Sequence, residues 1–232
     1  MRVLALDTAT PDLVTGVVDT SSGQIDEQVI EDTRLLSEQL MPAVEEVIGK
    51  QTSGYNALDA IAVGVGPGPF TGLRVGMATA SALGQALGIP VHGVCTHDAI
   101  AHEVATSVEE AATLLVATDA RRKEIYFAYY RITNGTAERV GEPNVVRPED
   151  LQVPAELGEL DIISIPANLV ERLPESVRAL RVLNQRPTAA ALAAVAALDE
   201  TPQPLVPLYL RRPDAKEPAA KPRSAAIPEV EL

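Results

Sequence analysis

The feature that most constrains this chain is a ridge of small residues. Gly72, Gly76, Ala80, Gly84 and Gly88 stand at every fourth position, directly after the loop Gly66-Pro67-Gly68-Pro69. Each glycine inside a helix is less favourable than alanine by about 1 kcal/mol. A helix that carries several must be compensated by packing, because small residues on an i, i+4 ridge admit a neighbouring backbone at close range. Ala78, Ala82 and Ala86 line roughly the opposite side. The spacing therefore predicts a helix over 70–87 covered on both sides, by a sheet on one and by a second helix on the other. That second helix is either segment 34–48, where Leu36, Leu40, Val44, Val47 and Ile48 keep helical spacing, or one supplied by a partner.

The core around such a helix has to be aliphatic. Hydrophobic residues make up 46% of the chain but aromatic ones only 3%, with no tryptophan, which suits helices laid closely on a sheet. Residues 2–8 read as a strand apolar on both faces, 13–19 and 27–31 as two further strands joined through Ser21-Ser22-Gly23. Segment 59–65 is a strand that ends in the glycine loop, and 91–94 is a short one before a helix over 96–105. Strands begin again at 113–119 and at 124–132, the latter ended by the turn Asn134-Gly135. A further strand covers 160–165, and Thr188 is placed to cap an alanine-rich helix through 198. This order predicts two related α/β halves: a first lobe over 1–106 and a second over 107–213. A proline-rich stretch over 214–232 is expected to be a disordered tail.

Charge and cysteine content narrow the function classes. The net charge is -13, from 32 acidic and 19 basic residues, and such a surface repels phosphate backbones. Any contact with nucleic acid should be indirect. Cys95 is the single cysteine, which excludes an intrachain disulfide and fits a reducing cytoplasm; beside Val94 it reads as a buried thiol rather than a nucleophile. No apolar run approaches the ~20 residues needed to cross a bilayer, and the opening residues do not read as a signal peptide.

A strand that ends in glycines and enters a helix has two readings. Free N–H groups at the helix start form an anion site, or the glycines and prolines make a rigid turn. Pro67 and Pro69 donate no N–H, and no lysine follows as in a P-loop, so the turn is favoured. His97 and His102 are five residues apart; on a helix they diverge by about 140° and cannot share an ion. Exposed or capping roles are expected for both. Asp7, Asp119 and Arg121 are candidates for the margin of a cleft between lobes.

Four segments together resemble the TsaB family, relatives of the catalytic TsaD proteins within the superfamily of actin-like ATPases and sugar kinases. Segment 1–10, MRVLALDTAT, is similar to the family's first strand and Asp-Thr turn. Segment 64–76, GVGPGPFTGLRVG, is similar to its signature Gly-Pro-Gly-Ser-Phe-Thr-Gly-Leu-Arg, and 117–130, ATDARRKEIYFAYY, to the start of its second lobe. Segment 207–215, PLYLRRPDA, looks like its C-terminal Pro-x-Tyr-x-Arg element.

The resemblance implies an α/β fold of two RNase H-like lobes of the actin-like class (ASKHA), with mixed sheets flanked by helices. It implies a vestigial nucleotide cleft at Asp7, Thr8, Gly66, Gly68, Thr71 and Asp119. No catalytic residue, metal site or independently bound cofactor is implied; ATP and metal would be used by partner subunits. The implied role is a scaffold in forming threonylcarbamoyladenosine in tRNA, ordering TsaD, with TsaE joining them. The docking face would comprise Leu36, Leu40, Met41, Val44, Phe70, Leu73, Arg74, Met77, Ala80 and Ser81. Free of its partner, the chain would form a homodimer through the same face, and no membrane would be involved. Two other classes stay open. A small-molecule kinase requires a second adenosine loop, which Ser164-Ile165-Pro166-Ala167 does not supply. A metallopeptidase requires a histidine spacing that this chain lacks.

Overall fold

The computed structural model describes residues 1–177 and 181–211; the tail expected over 214–232 lies outside the described residues. Two five-stranded mixed sheets are built on one plan. The first contains β1 (Arg2–Asp7), β2 (Leu13–Asp19), β3 (Ile25–Ile30), β4 (Ala60–Gly66) and β5 (Val91–Cys95). Its order is β3-β2-β1-β4-β5; the β1–β2 and β2–β3 pairs are antiparallel, and β1–β4 and β4–β5 are parallel.

The second sheet contains β6 (Ala112–Asp119), β7 (Ile125–Thr133), β8 (Thr136–Val146), β9 (Ile162–Ser164) and β10 (Arg181–Leu183). Its order, β8-β7-β6-β9-β10, repeats the first position for position. The strand directions repeat as well. Relatedness of the halves, read from the sequence as an order of elements, is thus visible as a shared strand plan. Strands β8 and β10 were not legible beforehand. β8, TAERVGEPNVV, buries little of its length, and β10 has three residues.

The helices are distributed unequally. Between β3 and β4 the first lobe carries α1 (Leu36–Gly49), and between β4 and β5 it carries α2 (Phe70–Leu87). Among the described residues, the matching positions of the second lobe hold 3-10 turns and α4 (Ala167–Val170). After the last strand of each sheet comes an inner helix, α3 (Thr96–Thr106) and α5 (Ala189–Val195). Thr188 caps α5 as expected, its hydroxyl accepting the Ala191 N–H at 3.1 Å.

Period-two alternation of β1 and β4 divides two cores. Leu4, Leu6, Ile61 and Val63 face α1 and α2, where Leu40, Val44, Val47, Leu73, Met77 and Ala80 meet them. Val3, Ala5, Ala62 and Val94 face the other way, onto Ala99 of α3 and Ala189, Ala191 and Leu192 of α5. Gly16 makes this close: a Cβ there would lie 2.5 Å from the Ala189 Cβ. Helix α3 also closes the second sheet, with Ile100, Ala101 and Val104 packed on Leu114, Val116 and Tyr130. A cut after residue 106 therefore separates the two sheets but not their packing, because α5, from beyond that cut, belongs to the core of the first sheet.

The glycine ridge of α2 faces inward, which corrects one expectation. A Cβ at Gly72 would lie 2.4 Å from the Thr8 carbonyl oxygen, one at Gly76 2.3 Å from the Thr8 hydroxyl, and one at Gly84 2.3 Å from the Val91 side chain. The ridge admits the turn after β1 and the edge of β5. At these three glycines the neighbour is not a second helix, although α1 lies beside α2 in the same core. Ala78, Ala82 and Ala86, on the other side, are exposed.

Candidate functional site

The glycine loop is seated on the turn that follows β1. Gly66 has φ +104, a conformation in which side chains are strained. A Cβ at Gly68 would meet the Ala9 carbonyl oxygen at 2.3 Å and the Ala9 Cα at 2.8 Å. The Thr8 hydroxyl donates to the Gly72 carbonyl at 2.8 Å. Close backbone approach, the reason for glycine here, is made by the chain's own turn.

Asp7 is sealed beneath that turn. It is fully buried; one carboxylate oxygen accepts the Ala9 N–H at 2.8 Å and the other the Thr96 hydroxyl at 2.6 Å. Gly64 gives it room, since a Cβ there would lie 1.9 Å from an Asp7 carboxylate oxygen. Desolvation outweighs these hydrogen bonds and raises the Asp7 pKa to about 6.

Above the turn, a cleft of about 330 Å³ opens between the lobes. Thr8, Thr10, Arg34, Thr71, Asp119 and Arg121 are among its walls. Asp119 accepts the Arg121 N–H at 2.7 Å and pairs with its guanidinium at 3.8 Å. The expected cleft set is therefore split. Thr8, Thr71 and Asp119 line the opening, whereas Asp7, Gly66 and Gly68 lie under it and are corrected to supports of the turn. The loop does not fit a phosphate cradle: two of its residues lack an N–H, and Gly68 is pressed against Ala9.

Of the two histidines, His97 departs from the expected exposed or capping role. His97 is neither exposed nor a cap: it is fully buried between the lobes, Nε2 2.9 Å from the Thr118 hydroxyl oxygen. Desolvation first, then the Arg139 charge, holds its pKa down at about 3. Next to it Asp98 accepts the Tyr130 hydroxyl at 2.8 Å and an Arg139 nitrogen at 2.9 and 3.0 Å. His102 is half-buried on the same helix. Among the described residues no three His, Cys, Asp or Glu side chains gather as metal ligands. Burial, followed by Asp98, pushes the Cys95 thiol up to about 12, which removes its thiolate character.

The docking face divides likewise. Leu40, Val44, Leu73, Met77 and Ala80 are buried in the first core and are corrected to core residues, since they hold α1 and α2 on the sheet. Leu36 is half-buried, and Met41, Phe70, Arg74 and Ser81 are exposed. The Arg74 guanidinium lies 3.7 Å from the Phe70 ring centroid, and Tyr209 stacks on the same ring at 5.0 Å. Arg74 Nε donates to the Tyr209 hydroxyl at 3.1 Å. Sequence reasoning named Phe70 and Arg74 but missed Tyr209, whose only signal was the Pro-x-Tyr-x-Arg element.

A family model described as TsaD: tRNA N6-adenosine threonylcarbamoyltransferase matches residues 27–171. That is more than half of the chain, and the chain belongs to this family. An uncharacterised protein of Mycobacterium tuberculosis is 42% identical over 92% of this chain and 93% of its own length. The tRNA threonylcarbamoyladenosine biosynthesis protein TsaB of Escherichia coli is 32% identical over 64% of each chain. A Pseudomonas aeruginosa crystal structure, described as an uncharacterised protein with similarity to peptidase YeaZ, superimposes with a TM-score of 0.73 at 27% identity. It covers 90% of this chain and 99% of its own. Within the family the chain is a TsaB-type protein. No helix among the described residues is long and apolar enough to cross a membrane.

Proposed function

We propose that this chain serves tRNA threonylcarbamoyladenosine biosynthesis as a non-catalytic scaffold that binds and orders TsaD, with TsaE joining the pair. The threonylcarbamoyl transfer to N6 of the adenosine next to the anticodon, in tRNAs reading codons that start with A, belongs to TsaD in this reading. ATP and metal are used by the partner subunits, and this chain binds neither by itself. The supporting observation is the contrast between its two candidate sites. The carboxylate of Asp7 is sealed under the turn below the cleft, while the outer sides of α1 and α2 leave Met41, Phe70, Arg74, Ser81 and Ala82 exposed.

An exposed apolar and cationic patch of this kind suits a protein partner, since aromatic, methionine and arginine side chains carry most interface energy. The same patch makes the free chain a homodimer. The net charge of -13 keeps tRNA contact indirect. The test pairs gel filtration and calorimetry of the purified chain with TsaD from the same organism. A one-to-one complex is expected, with no ATP hydrolysis by the isolated chain. ATP turnover at an ordinary enzyme rate by the pure protein would overturn the scaffold reading.

A further inference from the structure

Segment 201–211 has no regular secondary structure and carries Pro202, Pro204 and Pro207. It nevertheless makes specific contacts along its length. Leu205 and Leu208 pack on the first core, and the Leu208 N–H donates to the Val65 carbonyl at 2.8 Å. Tyr209 then clasps Phe70 and Arg74 at the start of α2. Two residues on, Arg211 pairs with Glu124 of the second lobe.

Both anchors border the interlobe cleft. Phe70 stands between Pro69 and Thr71, which line it. Glu124 closes the β6–β7 turn: its N–H donates to the Arg121 carbonyl and its carbonyl accepts the Ala120 N–H, each at 3.0 Å. Arg121, Arg122 and Lys123 in that turn all have positive φ, between +53 and +67, a conformation that non-glycine residues keep only when their surroundings impose it. Away from the residues that line the cleft, the lobes are also joined through α3, by His97 to Thr118 and Asp98 to Arg139.

We propose that segment 201–211 is a clasp that couples the start of α2 to the β6–β7 turn and sets the opening of the cleft between them. Helix α3 acts as the hinge and the half-exposed strap as the fastening. A displacement of Phe70 and Arg74 is carried by Tyr209 and Arg211 to the turn bearing Asp119 and Arg121. Such coupling needs a contiguous set of contacts that both ends bias, and the strap supplies one.

The experiment is amide hydrogen exchange of the full chain and of two variants. Tyr209→Ala acts at the first-lobe end and Arg211→Ala at the second. Each is expected to speed exchange at both ends, in 69–75 and in 119–125, by about threefold or more, while β1 and β4 stay protected. The double exchange Glu124→Arg with Arg211→Glu is expected to restore slow exchange in 119–125. Effects confined to the mutated end, or failure of the charge exchange to restore protection, would overturn the proposal. If Arg211→Ala does not fold, high salt on the unmodified chain replaces it: faster exchange in 119–125 supports the clasp and unchanged exchange refutes it.

Discussion

The two lobes repeat one strand plan and differ in what covers it. In the first, α1 and α2 lie on the outer face of the sheet; in the second, the same positions hold a four-residue helix and 3-10 turns. Leu151, Leu157, Leu160, Leu169 and Leu173 from these irregular segments still close the second core. A sheet face can therefore be sealed without long helices. The pair α1 and α2 adds a surface beyond what sealing requires, and the docking proposal rests on that surplus.

The largest effect should come from attacking that difference at its base. Leu40 is 1% exposed, so Leu40→Asp places an unpaired charge in the first core and should unfold the chain, a loss above about 4 kcal/mol. Thermal melting by circular dichroism checks it; a folded variant would mean that α1 does not seal the sheet. Next comes Gly68→Ala, whose methyl meets the backbone of Ala9. A loss of about 1–3 kcal/mol is expected in denaturant unfolding. Gly49→Ala, where nothing lies within 4 Å, should leave stability unchanged or slightly higher.

The buried titrating groups make a pH prediction with opposite signs. Asp7 has its pKa raised from 3.8 to about 6, so the folded state binds a proton more tightly, and stability falls as pH rises through that window. His97 has its pKa lowered from 6.5 to about 3, so its neutral ring is accommodated above 6.5 and stability is lost as pH falls through that range. Asp7→Asn should raise the melting temperature at neutral pH, by up to a few kcal/mol in stability, with the gain shrinking toward pH 4. His97→Gln should flatten the acid limb of the profile instead. Equal pH profiles for both variants and the native chain would refute the assignment.

The smallest effects on stability are expected at the surface, and they separate the lobes most cleanly. Ala82→Arg on exposed α2 and Glu171→Arg on the exposed second lobe should each stay within about 0.5 kcal/mol of the native chain. Only Ala82→Arg should abolish TsaD binding in calorimetry.

Much of the fold was legible because its signals are local. The strands of the first sheet and the Thr188 cap follow from apolar runs and one hydroxyl. Strand β8 was not legible, because it is half-exposed and carries little periodicity, and β10 is too short to show any. At the site, the sequence named Phe70, Arg74 and Asp119 but could not tell which face of α2 the glycines served. Gly72 and Gly76 meet Thr8, a residue more than sixty positions away, and no helical period encodes that. His97 was misread for the same reason, since its burial depends on β6 of the other lobe.

Hydrogen exchange of the chain, diluted until it is monomeric, with and without TsaD tests the central claim most directly. The account predicts that bound TsaD slows exchange in peptides of α1 and α2 and leaves those of β7, β8 and 148–177 unchanged. Protection confined to the second lobe, or no protection of α1 and α2 in a demonstrable complex, would contradict it.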